Sequence, residues 1–198
     1  MSTSERVFWN WFEQNETRLL TFETDRETIL DEISEKLSAY REGIVFEIST
    51  EADGKREFIV SADGLEELFP AVETLVASAP KLERWSIIAF RPRMDNYARF
   101  RLDYEGMTID PSQLWIQYGV DEGKFDLVIF HPQCNEDNRT FLINGTYILL
   151  DAALGEYHVV KGIRYIDHEQ LPSSPEEEGL RPFSELRTIF DKYKRPGH

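Results

Sequence analysis

Apolar residues recur at helical spacing over the first forty positions and at strand spacing soon afterwards. In "SERVFWNWFEQNETRLL", Val7, Phe8, Trp11, Phe12, Leu19 and Leu20 form a stripe with Glu13, Glu16 and Arg18 between them, which predicts an amphipathic helix. Ile29, Ile33, Leu37 and Tyr40 form the stripe of a second helix, with Thr24 and Glu27 as its capping box and Gly43 as its stop. The period then shortens to two. "IVFEIST" and "REFIVSA" are rich in β-branched and aromatic residues, and Asp53-Gly54 between them predicts a tight hairpin turn.

Further along, Leu65, Leu68, Phe69, Val72, Leu75, Val76 and Ala79 return to helical spacing, with Asp63 as a cap and Pro70 as a kink or first residue. Trp85, Ile87, Ile88 and Phe90 are expected to form a central strand, covered by that helix and by an apolar helix near Ile148. Hairpins are predicted about Glu105-Gly106 and about Asp121-Glu122-Gly123. "TFLINGTYILLDAALGE" reads as a long apolar helix, "YHVVKGIRYID" as a strand, and Leu186, Ile189, Phe190 and Tyr193 as a terminal helix capped by Ser184. Strands in runs joined by tight turns predict an α+β fold: a mainly antiparallel twisted sheet with helices packed on one face, in a single domain. The boundaries follow as one domain over 1–170, an exposed linker over 171–183 in the Pro-, Ser- and Glu-rich "LPSSPEEEG" region, and a C-terminal helix over 184–194 docking on that domain.

Charge narrows the range of functions. The 198 residues carry 37 acids against 22 Lys and Arg, a net −15, a field that repels nucleic acid and anionic lipid and attracts a basic partner. The single cysteine, Cys134, excludes an intrachain disulfide. The N-terminal stretch lacks a basic then apolar leader and no run approaches a membrane span, so a cytoplasmic protein is expected, with no membrane and no nucleic acid among its partners.

Familiar catalytic and phosphate-binding motifs are missing from the sequence, and no motif asks for a cofactor or metal. Three groups of residues remain as candidates. Asp151 interrupts an apolar helix, and Glu156 and His158 would share one face of the strand after it; together they could hold a divalent metal or do acid–base work in a hydrolase. In "AFRPRMDNYARFR", Arg91, Arg93, Arg99 and Arg101 stand among three aromatics, and arginine forks suit carboxylate or phosphate oxygens. They either bind an anion or neutralise the chain's own acid, and with 37 acids available neutralisation is the expectation. His131 lies near Cys134 and Asp137, a spacing that a Cys–His pair could use, but the plainer reading is a loop leaving a strand. His198 is the last residue and is assigned no role.

The strings "KREFIVSADGLEELFPAVETLVASAPKLERWSIIAFRPR", "LLDAALGEY" and "IDHEQLP", with the opening "FWNWFEQNE", resemble segments of a family of bacterial cytosolic proteins with no assigned activity. The resemblance implies a bacterial, single-domain protein and supplies no mechanism. Excess acid, abundant aromatics and missing catalytic signatures lead to one expectation: a non-enzymatic binding protein of inhibitor, immunity or adaptor type for a basic protein partner.

Overall fold

The computed structural model describes residues 3–104 and 106–194. Its helices and strands make an α+β protein, with the strands gathered in three sheets among the described residues. The chain divides into two compact units, 1–91 and 92–198. Each has its own core, where the sequence had suggested one.

In the first unit, helix α1 (Thr3–Leu20) buries Phe8, Trp9, Phe12 and Leu19, while Val7 is 60% exposed. The buried stripe is thus turned slightly from the predicted one, because Trp9 points inward and donates its indole N–H to the Leu75 carbonyl at 2.9 Å. Helix α2 (Arg26–Tyr40) buries Ile29, Ile33 and Leu37 as expected. Its capping box does not form: Thr24 sits in a 3-10 turn (Phe22–Asp25) and donates its hydroxyl back to the Thr21 carbonyl at 2.8 Å.

Strands β1 (Val45–Ile48) and β2 (Arg56–Ser61) make the predicted antiparallel hairpin, and the positive φ of Asp53 (52°) and Gly54 (75°) gives its turn the twist the strands need. Helix α3 (Phe69–Ala77) takes Pro70 into its first turn, where no N–H is required. Asp63 lies outside that helix, in a turn at φ 51°. Strand β3 (Trp85–Ala89) runs parallel to β2 in the order β1-β2-β3, so β3 is an edge and β2 is the centre. The expectation of a central strand at Ile87 is therefore corrected: Ile87 and Ile88 are half-buried, whereas Phe58 and Val60 are fully enclosed. Phe58 meets Phe12 at 5.0 Å between ring centroids and Phe46 at 5.6 Å. A short apolar run has the same appearance at a sheet's centre and at its edge.

In the second unit, β4 (Leu102–Tyr104) and β5 (Met107–Ile109) form the predicted small hairpin, with Glu105 outside the described residues. Strands β6 (Trp115–Asp121) and β7 (Lys124–His131) form the larger one, turning at Glu122 and Gly123 with φ 49° and 74°. Helix α4 (Arg139–Leu154) ends at Gly155, whose φ is 80°, and a second helix, α5 (Glu156–Gly162), starts at once. The predicted strand over this stretch is corrected here: it begins only at Ile163, as β8 (Ile163–Gln170), which lies parallel to β7. A glycine stop followed directly by a helix restart leaves no loop signature, and Val159 and Val160 bias the local pattern toward a strand.

The expected exposed linker ends earlier than 183. Leu180 and Phe183 are buried, and β9 (Arg181–Pro182) pairs with β6 to complete the order β8-β7-β6-β9. Helix α6 (Leu186–Lys194) joins this unit's core through Leu186 and Phe190, the latter stacked on Phe125 at 5.0 Å. A 3-10 turn (Phe183–Glu185), rather than a Ser184 cap, leads into it. Among the described residues no helix is long and apolar enough to cross a membrane.

Candidate functional site

The four arginines are divided between the two units. Arg91 follows β3 in the first unit, where its guanidinium bonds Glu47 at 2.5 Å and Asp63 at 3.0 Å. The other three belong to the second unit. Arg93 makes a two-pronged pair with Asp191 (2.9 and 2.8 Å) and donates to the Leu154 carbonyl at 2.8 Å. Arg101 reaches Asp110 at 2.9 Å, and Arg99 is exposed at the end of a 3-10 turn. The expected adjacent strands do not exist here. Pairing with the chain's own carboxylates does.

Glu156 and His158 do not share a strand face, because they lie on a helix. Two residues apart on a strand lie on one side, but on a helix they point about 200° apart. Glu156, the first residue of α5, is fully buried, His158 is exposed beside Tyr157, and Asp151 is half-exposed on α4. Among the described residues, no three His, Cys, Asp or Glu side chains gather as metal ligands would.

The structure instead assembles an imidazole pair around His131. Along β7, Phe125, Leu127, Ile129 and His131 fall on one buried face by strand alternation. The parallel register sets Ile129 opposite His168 of β8, which places both histidines on that same face. Their rings lie 5.3 Å apart between centroids, tilted by 30°, and are 2% and 1% exposed. Both nitrogens of His168 are buried without a hydrogen-bond partner. Burial pushes His131 down to about 3, with repulsion from His168 adding to it, and burial likewise lowers His168 to about 4. Both rings are neutral at physiological pH.

Helix α4 decides how the proton sits on His131. The Thr146 hydroxyl donates to the Leu142 carbonyl at 2.6 Å, so its one hydrogen is committed. Its oxygen lies 3.3 Å from His131 Nε2 and can only accept there. His131 is therefore the Nε2–H tautomer, and its Nδ1 carries the free lone pair. Cys134, three residues on, donates its backbone N–H to the His131 carbonyl at 3.3 Å. Its thiol is buried and burial pushes its pKa up, the opposite of what an activated nucleophile needs.

His131 borders a small open pocket of about 20 Å³, room for roughly one water. Ile109, Leu114 and Leu142 give it apolar walls, and Asp110 and Gln133 add polar groups. Asp110 accepts from the Ser112 N–H (2.9 Å), the Ser112 hydroxyl (2.6 Å) and Arg101, and the Ser112 bonds together with Arg101 hold its carboxyl below the usual range. Sequence reading noticed His131 but not its partner His168. The signal was partial: in "FDLVIFH", Phe125, Leu127, Ile129 and His131 fall at two-residue steps, and "IDH" sets Ile166 and His168 on one side. What joined them was strand register, which pattern alone does not supply. Comparison with family models, with curated proteins and with solved structures finds no match.

Proposed function

We propose that this protein is a non-enzymatic, cytoplasmic binding protein of inhibitor, immunity or adaptor type, and that its partner is a basic protein. The observation that carries this reading is where the positive charge goes. Arg18, Arg56, Arg91, Arg93, Arg164 and Arg181 each pair with acids of this same chain, so part of the positive charge is spent internally in a chain whose net charge is −15. The excess acid meanwhile faces outward: Glu27, Asp31 and Glu35 are exposed at four-residue steps along α2, on one line of the helix. Tyr147 and Ile148 on α4 are 44% and 40% exposed and offer the aromatic and apolar contact that interfaces use. An acidic field steers a basic partner and accelerates encounter, an effect that salt screens.

The test is binding to a lysine-rich peptide and to cytochrome c, followed by calorimetry over a range of salt. Saturable binding that weakens as salt rises, and that is lost when Glu27, Asp31 and Glu35 are all changed to Lys, is the expected result. Binding indifferent to both salt and charge reversal, or no binding to either probe, overturns the reading.

A further inference from the structure

The sheet of the first unit ends on a strand whose outer edge lacks the usual protection. Strand β3 pairs with β2 on one side, and among the described residues no strand lies on its other side. The hydrogen bonds at its two ends show which backbone groups face outward. The Phe90 N–H donates to the Val60 carbonyl at 2.8 Å, and the Arg84 carbonyl accepts from the Arg56 N–H at 3.0 Å. Alternation along the strand then turns Ser86 and Ile88 to β2 as well, and leaves the N–H and C=O of Trp85, Ile87 and Ala89 pointing away from the sheet. Open edges are ordinarily protected by charge, proline, a bulge or shortness. β8, the long edge of the second unit's sheet, carries Arg164, Asp167 and Glu169, and its opposite edge β9 has two residues. β1 has four residues and an exposed Glu47. β3 is "WSIIA", five residues without a charge or a proline in a chain of net −15.

We infer that β3 is an edge for self-association: two copies pair antiparallel along it, about a two-fold axis at Ile87, and join their sheets into one. The strand is its own complement in that register. Ile87 lies opposite Ile87, and Trp85 lies opposite Ala89 at both ends, a large side chain against a small one. These are the residues whose backbone groups face outward, so each pair exchanges both of its N–H···O bonds. Moving the axis by one residue either way drops one of them from the pairing. Phe90, at φ 66°, ends the strand after Ala89 and keeps the contact short. Just outside it, the same register brings Glu83 of one copy to the end where Arg91 of the other leaves, twice by symmetry. Glu83 is exposed, and the Arg91 side chain is 25% exposed. A strand of another protein would also find the free backbone groups, but a second copy alone sets Glu83 against Arg91 at both ends. That charge complementarity selects the copy. The inference concerns assembly and does not rest on the basic-partner reading.

The test is sedimentation equilibrium over a wide range of concentration, in salt that screens the net −15, with hydrogen–deuterium exchange at both ends of the range. The mass is expected to rise from 23.2 kDa toward twice that value as concentration increases. The Ile87 and Ala89 amides should exchange more slowly as the dimer forms, while those of Ser86 and Ile88, turned to β2, should not change. Ala89→Pro removes an outward N–H that the protomer does not use, so it should abolish the dimer while circular dichroism stays that of the folded protein. Glu83→Arg should weaken self-association by about tenfold, and adding Arg91→Glu should restore it, because the pair is then reversed rather than lost. A mass that stays at 23.2 kDa at every concentration overturns the inference. So does a dimer that persists in Ala89→Pro, or one that forms without slowing exchange at Ile87. The exchange measurement uses the unaltered chain, and it decides the matter if the proline variant fails to fold. Should the folded double variant associate no better than Glu83→Arg alone, the two-fold register is wrong and the choice of a second copy falls with it.

Discussion

Arg56 in the first unit and His168 in the second are almost equally hidden from solvent, at 6% and 1% exposure, and they are provided for in opposite ways. Arg56 donates to the Leu20 carbonyl (3.0 Å), the Ser49 carbonyl (2.9 Å) and Glu23 (2.7 Å), with its guanidinium 5.1 Å from the Phe22 ring centre. His168 has neither ring nitrogen satisfied. A charged group can be buried only with such partners, whereas an imidazole can shed its charge and wait. The first unit thus has a permanent internal strut. The second has a pair of groups that are silent when neutral and disruptive when protonated, next to its pocket.

The sharpest break in this comparison is expected in the first unit's core. Phe58 is fully buried on the central strand, so Phe58→Ala should cost about 3–5 kcal/mol, measured by chemical denaturation. Ile87→Ala, on the half-buried edge strand, should cost clearly less. Equal losses would mean that β3 is as central as β2.

The second unit should reveal itself by acid. An unfolded histidine titrates near 6.5, while His168 and His131 in the fold lie at about 4 and about 3. Both are depressed, so the unfolded chain binds more protons between those values. Their stabilising contribution is complete above the unfolded pKa and is lost as pH falls through the folded ones, amounting to about 3 kcal/mol for His168. Carboxylates held low by arginine, such as Asp126 and Asp191, act in the same direction but only below the ordinary carboxylate range. The slope between the two ranges therefore belongs to the imidazoles. His168→Phe should flatten it and cost little at neutral pH, since no hydrogen bond is lost. An unchanged slope in that variant would show that His168 is not the group being protonated.

These contrasts also show what could be read before the fold was known. The Asp53-Gly54 hairpin and the Ile29, Ile33 and Leu37 stripe depend on local chemistry, and both formed as expected. Glu156 and His158 were misplaced because their strand face depended on where α4 would stop, and Gly155 let a helix restart instead. Neutralisation of the arginines was foreseeable from numbers of charges, yet Arg93 finds Asp191 ninety-eight positions away, a pairing that only tertiary packing selects. The His131–His168 contact is hidden for the same reason, since it needs a parallel register between strands separated by two helices.

A smaller effect would sharpen the account of the strut. Arg56→Met keeps the length and apolar stem but removes every donor, leaving the Leu20 and Ser49 carbonyls to find water while Glu23, about half exposed, is resolvated easily. The expected loss is about 1–3 kcal/mol and should depend little on salt, because most of it comes from carbonyls rather than from the ion pair. A loss that disappears at high salt would make Arg56 an electrostatic clamp instead.

The smallest effect is expected at Arg91, and it separates an internal strut from surface neutralisation within the same unit. Arg91 also bridges two elements, joining Glu47 of β1 to Asp63 in the turn after β2. Its side chain is 25% exposed, but both of its acids are more than half exposed. Each carboxylate therefore recovers water when the arginine is removed, and the pairs act across a screened, high-dielectric surface. Arg91→Ala should change stability by no more than about 0–1 kcal/mol, and that difference should shrink further as salt rises. Arg56 and Arg91 then differ because one bonds buried carbonyls and the other bonds solvated acids, although a list of ion pairs would rank them alike. If Arg91→Ala instead destabilised the protein as much as Arg56→Met, the Glu47–Arg91–Asp63 bridge would have to be counted as part of the sheet's architecture, and the positive charge after β3 would serve the fold rather than balance the surface.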